Sequence, residues 1–545
     1  MNGRLITFDG PDAEAMALSG GRIVAVGRNT DMAGFLHDAR VIDAQGGTVL
    51  PGFIDSHVHL FQGAVEAGWL HLHGLRNKAE IAAAVRGYAN AHPDLTLVFA
   101  IGLGWSAIDG AEPDRHHLDD ILPDRPFAAM NADHHTVWAN TAALRAAGLW
   151  QTQTCPDGAE IVRDESGLPT GLLVEVGAFA PLLKLTPSGG RELAGYETGR
   201  DPVPRPAPDA REIDKALMLQ ALRSCAAQGI TGLHNMDGNL YQLELLAELE
   251  EEGVLPCRIE VPLHFKPGDN LDRIAEAEDM RTRFCSDMVW SNRVKMFMDG
   301  VVETRTGVMI RPYLDTGTHG VPLFDAAEFA EICCRADAAN LQIAVHAVGD
   351  GAVRRVLDGY EAARRANGPR DSRHRVEHIE FLHPEDLPRF RALGAVASMQ
   401  PTHGPGGGLF DYGRPEDSLF RAEELAWSFP VRRLWEAGVP LVLNTDWPVV
   451  PKDVVQTLKA AVAGPALPAP WHDNRVPLRA ALAAYTRDAA WIEFNGHCKG
   501  RLRPGFLADV VVMDRDLDAL DGAELHTASA ICTILGGHVV HDTGV

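Results

Sequence analysis

The chain has 545 residues, of which 46% are hydrophobic and 23% charged, and a formal net charge of −24. That length exceeds the roughly 250 residues of a minimal α/β barrel, so extra domains or large insertions are expected. The acidic balance argues against nucleic acid or an anionic membrane as partner, and no run approaches the ~18 apolar residues of a membrane span.

At the start of the chain, residues 4–8 (RLITF), 15–27 (AMALSGGRIVAVG) and 40–50 (RVIDAQGGTVL) alternate strand formers with glycine-containing turns. Residues 509–516 and 531–542 do the same at the other end. The two ends, 1–51 and 500–545, are therefore read as one small β-sandwich domain. MNGRLITFDG lacks the basic start and continuous apolar stretch of a signal peptide, and the eight cysteines show no C-x-x-C pairing. A cytoplasmic protein with reduced thiols is the expectation.

GFIDSHVHL (52–60) follows. Alternate residues of a strand share a face, so His57 and His59 point the same way and can grip one divalent cation. Alone this signal is weak, because paired histidines near a strand end are commonly surface or satisfied core. The next comparable strand begins at 230, about 170 residues on, too far for a single connection. Residues 61–225 are read as an inserted subdomain with strands near 95–105 and 126–133. Within it, DHHTVWANTAAL (133–144) offers His134 and His135, either of which would alternatively cap the following helix. Residues 187–210 are rich in proline, glycine and charge and read as a long loop, either a lid or a plain surface excursion.

From there, strand-like runs recur at 230–237, 257–265, 293–300, 341–350, 375–381, 394–401 and 440–448, separated by helical patterns such as 326–340 and 384–394. Apolar strands alternating with amphipathic helices indicate βαβ units. Counting 52–60 there are eight, so the expected fold is α/β: a (β/α)8 TIM barrel over 52–499, with active-site residues at the C-terminal strand ends. Lys295, His346, His378 and Asp446 lie at or near such ends.

PGFIDSHVHL (51–60), VKMFMDG (294–300), AVHAVGDGAV (344–353), RVEHIE (375–380), LNTDWPV (443–449) and GRLRPGFLADVVVMD (500–514) resemble the amidohydrolase superfamily, and within it the amidohydrolase family 3 group of N-substituted formamide deformylase-like enzymes. The resemblance spans nearly the whole chain. It implies a hydrolase with two divalent metal ions, zinc first and manganese, cobalt or iron as alternatives. His57 and His59 would hold one ion, His346 and His378 the other, and a carbamylated Lys295 would bridge them. Asp446 would be both ligand and proton acceptor. His135 aligns with the histidine of the group's D-G-H-S motif and would polarise the scissile carbonyl, although His134 replaces the glycine.

Physical chemistry bears on these assignments. A buried ionised carboxylate such as Asp446 needs a partner or a metal. Lys295 shares a strand face with Phe297 and Asp299, and a free ammonium beside two cations would be unfavourable. Burial favours the neutral amine, which reacts with carbon dioxide to give an anionic carbamate. A salt bridge from Lys295 to Asp299 or Glu303 is the alternative.

Around this centre, Trp105, Phe179 and Trp447 would supply an apolar wall, and His403 a hydrogen bond to substrate. Arg305 would take a substrate carboxylate, unless an internal ion pair engages it. The glycine run 404–410 reads as a flexible active-site loop. The expected reaction is hydrolysis of an amide, N-formyl or N-acyl C–N bond in a small molecule. A mononuclear deaminase or cyclic-amide hydrolase on the same barrel is the alternative, and a non-catalytic scaffold a third. A small-molecule amide is the expected partner, and a homodimer is compatible with the chain.

Overall fold

The computed structural model describes all residues except 38, 132–133, 152–153, 157–158, 409–414 and 545. Asp133 of the 133–144 motif, the end of the 126–133 run and the last two residues of the glycine run lie outside the described residues. The chain divides into two compact units, Met1–Leu60 with Gly195–Asp201 and Leu219–Val545, and Phe61–Ala194 with Pro202–Met218.

In the first unit, Phe53–Val58, Ile230–Asn235 and Gln342–Ala347 are buried at every position. Burial on both faces is what strands flanked by helices require. One parallel ladder runs Val289–Trp290, Arg258–Glu260, Ile230–Asn235, Phe53–Val58. A second runs Leu263–His264, Arg293–Phe297, Gln342–Ala347, Arg375–His378, Val396–Met399, Leu441–Leu443. The single expected strand at 257–265 is thus broken at Val261-Pro262, with one piece in each ladder. Proline has no N–H to give a ladder, so the hydrogen bonding stops there. A lone parallel bridge, Val58 to Trp447, links the last strand region to the first. Among the described residues, the ladders do not form the continuous closed ring that the eight-run count suggests.

Helices return the chain between strands. Ala326–Ala338 begins where Asp325 accepts from Ala327 N, and Leu240–Glu251 where Asn239 accepts from Gln242 N. Both chain ends meet in one five-stranded sheet of Arg4–Leu5, Thr48–Pro51, Val510–Met513, Ala530–Leu535 and His538–Asp542. A hairpin, Ala15–Ser19 with Arg22–Gly27, turns on Gly20 and Gly21, both at positive φ. Arg258 joins the first ladder to this sheet through a buried fork on Asp509, with Nε to Oδ2 at 2.7 Å and Nη2 to Oδ1 at 3.0 Å.

The second unit holds a six-stranded sheet in the order Glu160–Arg163, Pro169–Val174, Thr136–Ala139, Phe127–Met130, Val98–Ile101, Leu70–His71. Phe179 belongs to its core, at 2% exposure, which corrects its expected place in a substrate wall. The 187–210 stretch is tied down at several points. Arg191 forks onto Asp214 at 2.7 Å, and within the first unit Arg273 donates to Gly199 O and Asn239 to Arg200 O. Among the described residues, no helix is long and apolar enough to cross a membrane.

Removing one partner of a buried ion pair leaves the other charge uncompensated, at a cost of about 3–5 kcal/mol. Asp509→Ala is expected to lower stability by that amount, and Arg258→Met/Asp509→Leu by much less. Urea midpoints compare them; equal losses in the single and double variants would contradict a buried-charge origin.

Candidate metal centre

Five imidazoles and one carboxylate converge at the ends of the parallel strands. His57 Nε2 lies 3.2 Å and His59 Nε2 3.3 Å from the same atom, Asp446 Oδ1. Oδ2 of that carboxylate lies 3.9 Å from His378 Nδ1 and 4.0 Å from His403 Nε2. The donor atoms fall into two groups sharing Asp446: His57 with His59, and His378 with His403. His346 adjoins them, its ring 4.4 Å from that of His378.

Each ring is oriented by a partner that fixes its tautomer. His57 Nδ1 donates to Glu377 Oε2 at 2.8 Å, His59 Nδ1 to Asp237 Oδ1 at 3.1 Å, and His378 Nδ1 to Gln400 Oε1 at 3.0 Å. His57 and His378 therefore keep a lone pair on Nε2, whereas His59 Nε2, 3.3 Å from Asp446 Oδ1, offers one only after giving up its proton. His346 is reversed. Its Nε2 donates to the Gly300 carbonyl at 3.2 Å, and a carbonyl can only accept, so the free lone pair is on Nδ1.

Backbone geometry delivers two of these groups. Asp446 and His378 have φ of 63° and 74°, in the left-handed region that costs a non-glycine residue about 1–2 kcal/mol. Asp55 pins the Asp446 turn by accepting from Thr445 N at 3.0 Å and Thr445 Oγ1 at 2.6 Å. Asp299 pins the loop after His346 by accepting from Val308, Val348 and Gly349 amides at 2.8–3.0 Å.

The charges are strongly coupled. Burial opposes ionisation of Asp446, but His57, His59 and His403 outweigh it and hold its carboxyl well below the ordinary carboxylate range. Burial alone would lower His59, yet hydrogen bonds and charge from Asp237 and Asp446 raise it to about 9. Burial pushes His57 and His378 far down and His346 to about 3. Lys295 is fully buried and burial lowers it to about 8.

These residues suit divalent cations. Among the described residues, His57 Nε2, His403 Nε2 and Lys295 Nζ are buried polar atoms that meet no hydrogen-bond partner. Such orphans are expensive unless something satisfies them, and imidazole with carboxylate is a zinc-type donor set. Lys295 does not form the alternative salt bridge to Asp299; its Nζ sits 4.4 Å over the Phe297 ring.

The other expected site residues fall as follows. Trp447 is buried, with Lys452 Nζ 4.5 Å over its ring. Arg305 is engaged by Asp315, Nη2 to Oδ2 at 2.9 Å, which favours the internal ion pair over a substrate carboxylate. His403 lies closer to the ligand cluster than a purely substrate-binding role requires. Besides Phe179, three of the expected residues belong to the second unit. There Trp105 is 47% exposed and packs edge-on to Trp138, His135 Nδ1 lies 3.0 Å from Glu175, and His134 Nε2 lies 3.1 Å from Glu66. Asn140, not either histidine, caps the following helix.

Residues 40–541 match the amidohydrolase family. Protein LONG AFTER FAR-RED 3 of Arabidopsis thaliana is 29% identical over 98% of this chain and 90% of its own length. N-substituted formamide deformylase of Arthrobacter pascens is 29% identical, covering 96% and 94%. Among solved structures, an uncharacterized metal-dependent hydrolase from Pyrococcus horikoshii OT3 superposes with a TM-score of 0.72 at 22% identity, covering 96% and 98%. That likeness establishes a shared fold.

If Asp237 orients His59 for a cation, Asp237→Ala should weaken zinc binding about 10- to 100-fold, the usual effect of losing such a partner. Competition with a chelator measures it; unchanged affinity would remove Asp237 from the centre.

Proposed function

The chain belongs to the amidohydrolase family, and we propose that it hydrolyses the amide, N-formyl or N-acyl C–N bond of a small molecule with the help of two divalent ions. The observation that carries this reading is Asp446, one buried carboxylate shared by two groups of histidines. His57 and His59 would hold one ion and His378 with His346 the other, with His403 as a further donor. Lys295, lowered to about 8 by burial, would react as the neutral amine with carbon dioxide at Nζ, releasing a proton and so supplying an anionic ligand. The repeated βα order supports a (β/α)8 barrel as the frame.

When bound, the ions would lower the pKa of water toward neutrality and polarise the substrate carbonyl. The remaining work falls to side chains. Asp446 takes the proton of the attacking water and returns it to the leaving amine nitrogen, so that acid and amine leave without net change at the enzyme. Glu377, Asp237 and Gln400 keep three ring nitrogens aimed inward through the cycle. The name of the Arthrobacter relative supports N-formyl compounds as the first substrates to test.

Asp446→Asn retains size and can still coordinate through oxygen, but it cannot accept a proton at neutral pH. Turnover is expected to fall by about two to four orders of magnitude with zinc largely retained. The assay is a panel of N-formyl, N-acetyl and longer N-acyl amides with zinc, manganese or cobalt. An Asn variant within tenfold of the parent would overturn the assignment.

A further inference from the structure

Beneath the histidines lies a group of charges with no outlet to solvent. Arg293, Arg375 and Lys499 face Glu260, Glu377 and Glu493, all at most 3% exposed. Three cations balance three carboxylates, the condition under which buried charge is tolerable. Arg293 pairs with Glu260 and donates to Gln342 at 2.7 Å.

The rest forms a continuous line. Lys499 Nζ lies 2.6 Å from Glu493 Oε1, and Glu493 Oε2 lies 2.8 Å from His234 Nε2. Arg375 Nη1 lies 3.0 Å from His234 Nδ1, and Arg375 Nη2 donates to Glu377 Oε2 at 3.0 Å. Glu377 Oε2 in turn receives His57 Nδ1–H at 2.8 Å.

The direction of every bond in this line is fixed by chemistry. Arginine carries only donors, so His234 Nδ1 must accept from it, and the imidazole is neutral with its proton on Nε2. Burial, together with Arg293 and Arg375, agrees: it lowers His234 to about 3 although Glu493 opposes. Arg375 also donates from Nη2 to Ser56 O at 2.7 Å and Ser398 Oγ at 2.9 Å, each on a strand beside a ligand. No other side chain could bind these groups at once, because lysine lacks the planar fork.

We propose that Arg375 is a positioning residue of the metal centre, holding the Glu377 carboxylate in register so that His57 presents Nε2 to its cation, and that Lys499 anchors this line from the far end through Glu493 and His234. Lys499 lies in the segment that leads from the last helix, Arg487–Ile492, back to the chain-end sheet. The chain-end connection is thereby coupled to a metal ligand through side chains alone. The inference rests on the metal-hydrolase reading above.

The test uses full-length protein, zinc as the probe, and charge-neutral pairs so that no buried charge is stranded. Arg375→Met/Glu377→Gln should weaken zinc binding about 10- to 100-fold. Lys499→Met/Glu493→Gln should cause a smaller loss, about three- to tenfold. Thermal midpoints of the zinc-stripped proteins, measured alongside, report any purely structural effect. Zinc affinity equal to the parent in both pairs, with only the midpoints lowered, would overturn the proposal. Should the first pair fail to fold, Arg375→Lys, which keeps the charge and loses the fork, decides by the same zinc threshold. A parent protein that binds no zinc would instead refute the metal-hydrolase reading on which the proposal stands.

Discussion

Asp446 is a carboxylate taken out of water and surrounded by imidazoles, and the surrounding structure is arranged to make that tolerable. Its ionised form is favoured because His57, His59 and His403 outweigh burial. It reaches this position on a left-handed backbone turn that Asp55 clamps through Thr445. A single group shared by two donor sets gives the centre its compactness, and strain at both Asp446 and His378 marks where the fold yields to the site.

The same logic extends outward in layers. Histidines face the centre, and a carboxylate or amide stands behind three of them. Behind Glu377, Arg375 brings a charge that the fold must balance elsewhere. Strand order makes this affordable: His57, His234 and Glu377 come from three parallel strands, so their side chains meet in the interior without a loop to carry them.

Part of this was legible in the sequence. HxH at 57–59, Lys295, His378 and Asp446 stand out because each polar residue ends an otherwise apolar strand. The chain-end strands were visible from alternation, and the separate hairpin beside them from the Gly20-Gly21 turn. The orienting partners were less visible. Asp237 and Gln400 reach their histidines from 178 and 22 residues away, and single-sequence patterns do not carry such pairings. Glu377 stands beside His378 in the sequence, but its partner His57 lies 320 residues away, a pairing no local pattern carries. The break in the ladder had a signal, Pro262. Arg305 had a signal too, Asp315 ten residues on, but proximity in sequence does not distinguish a local ion pair from a substrate contact. Phe179 looked like a rim residue only because aromatic content says nothing about which side of a sheet it packs.

The central claim is that one carboxylate and one modified lysine organise two cations. Counting divalent ions per chain in protein purified with bicarbonate present tests this most directly. The account predicts two per chain; one ion or none, with Lys295 unmodified, would contradict it.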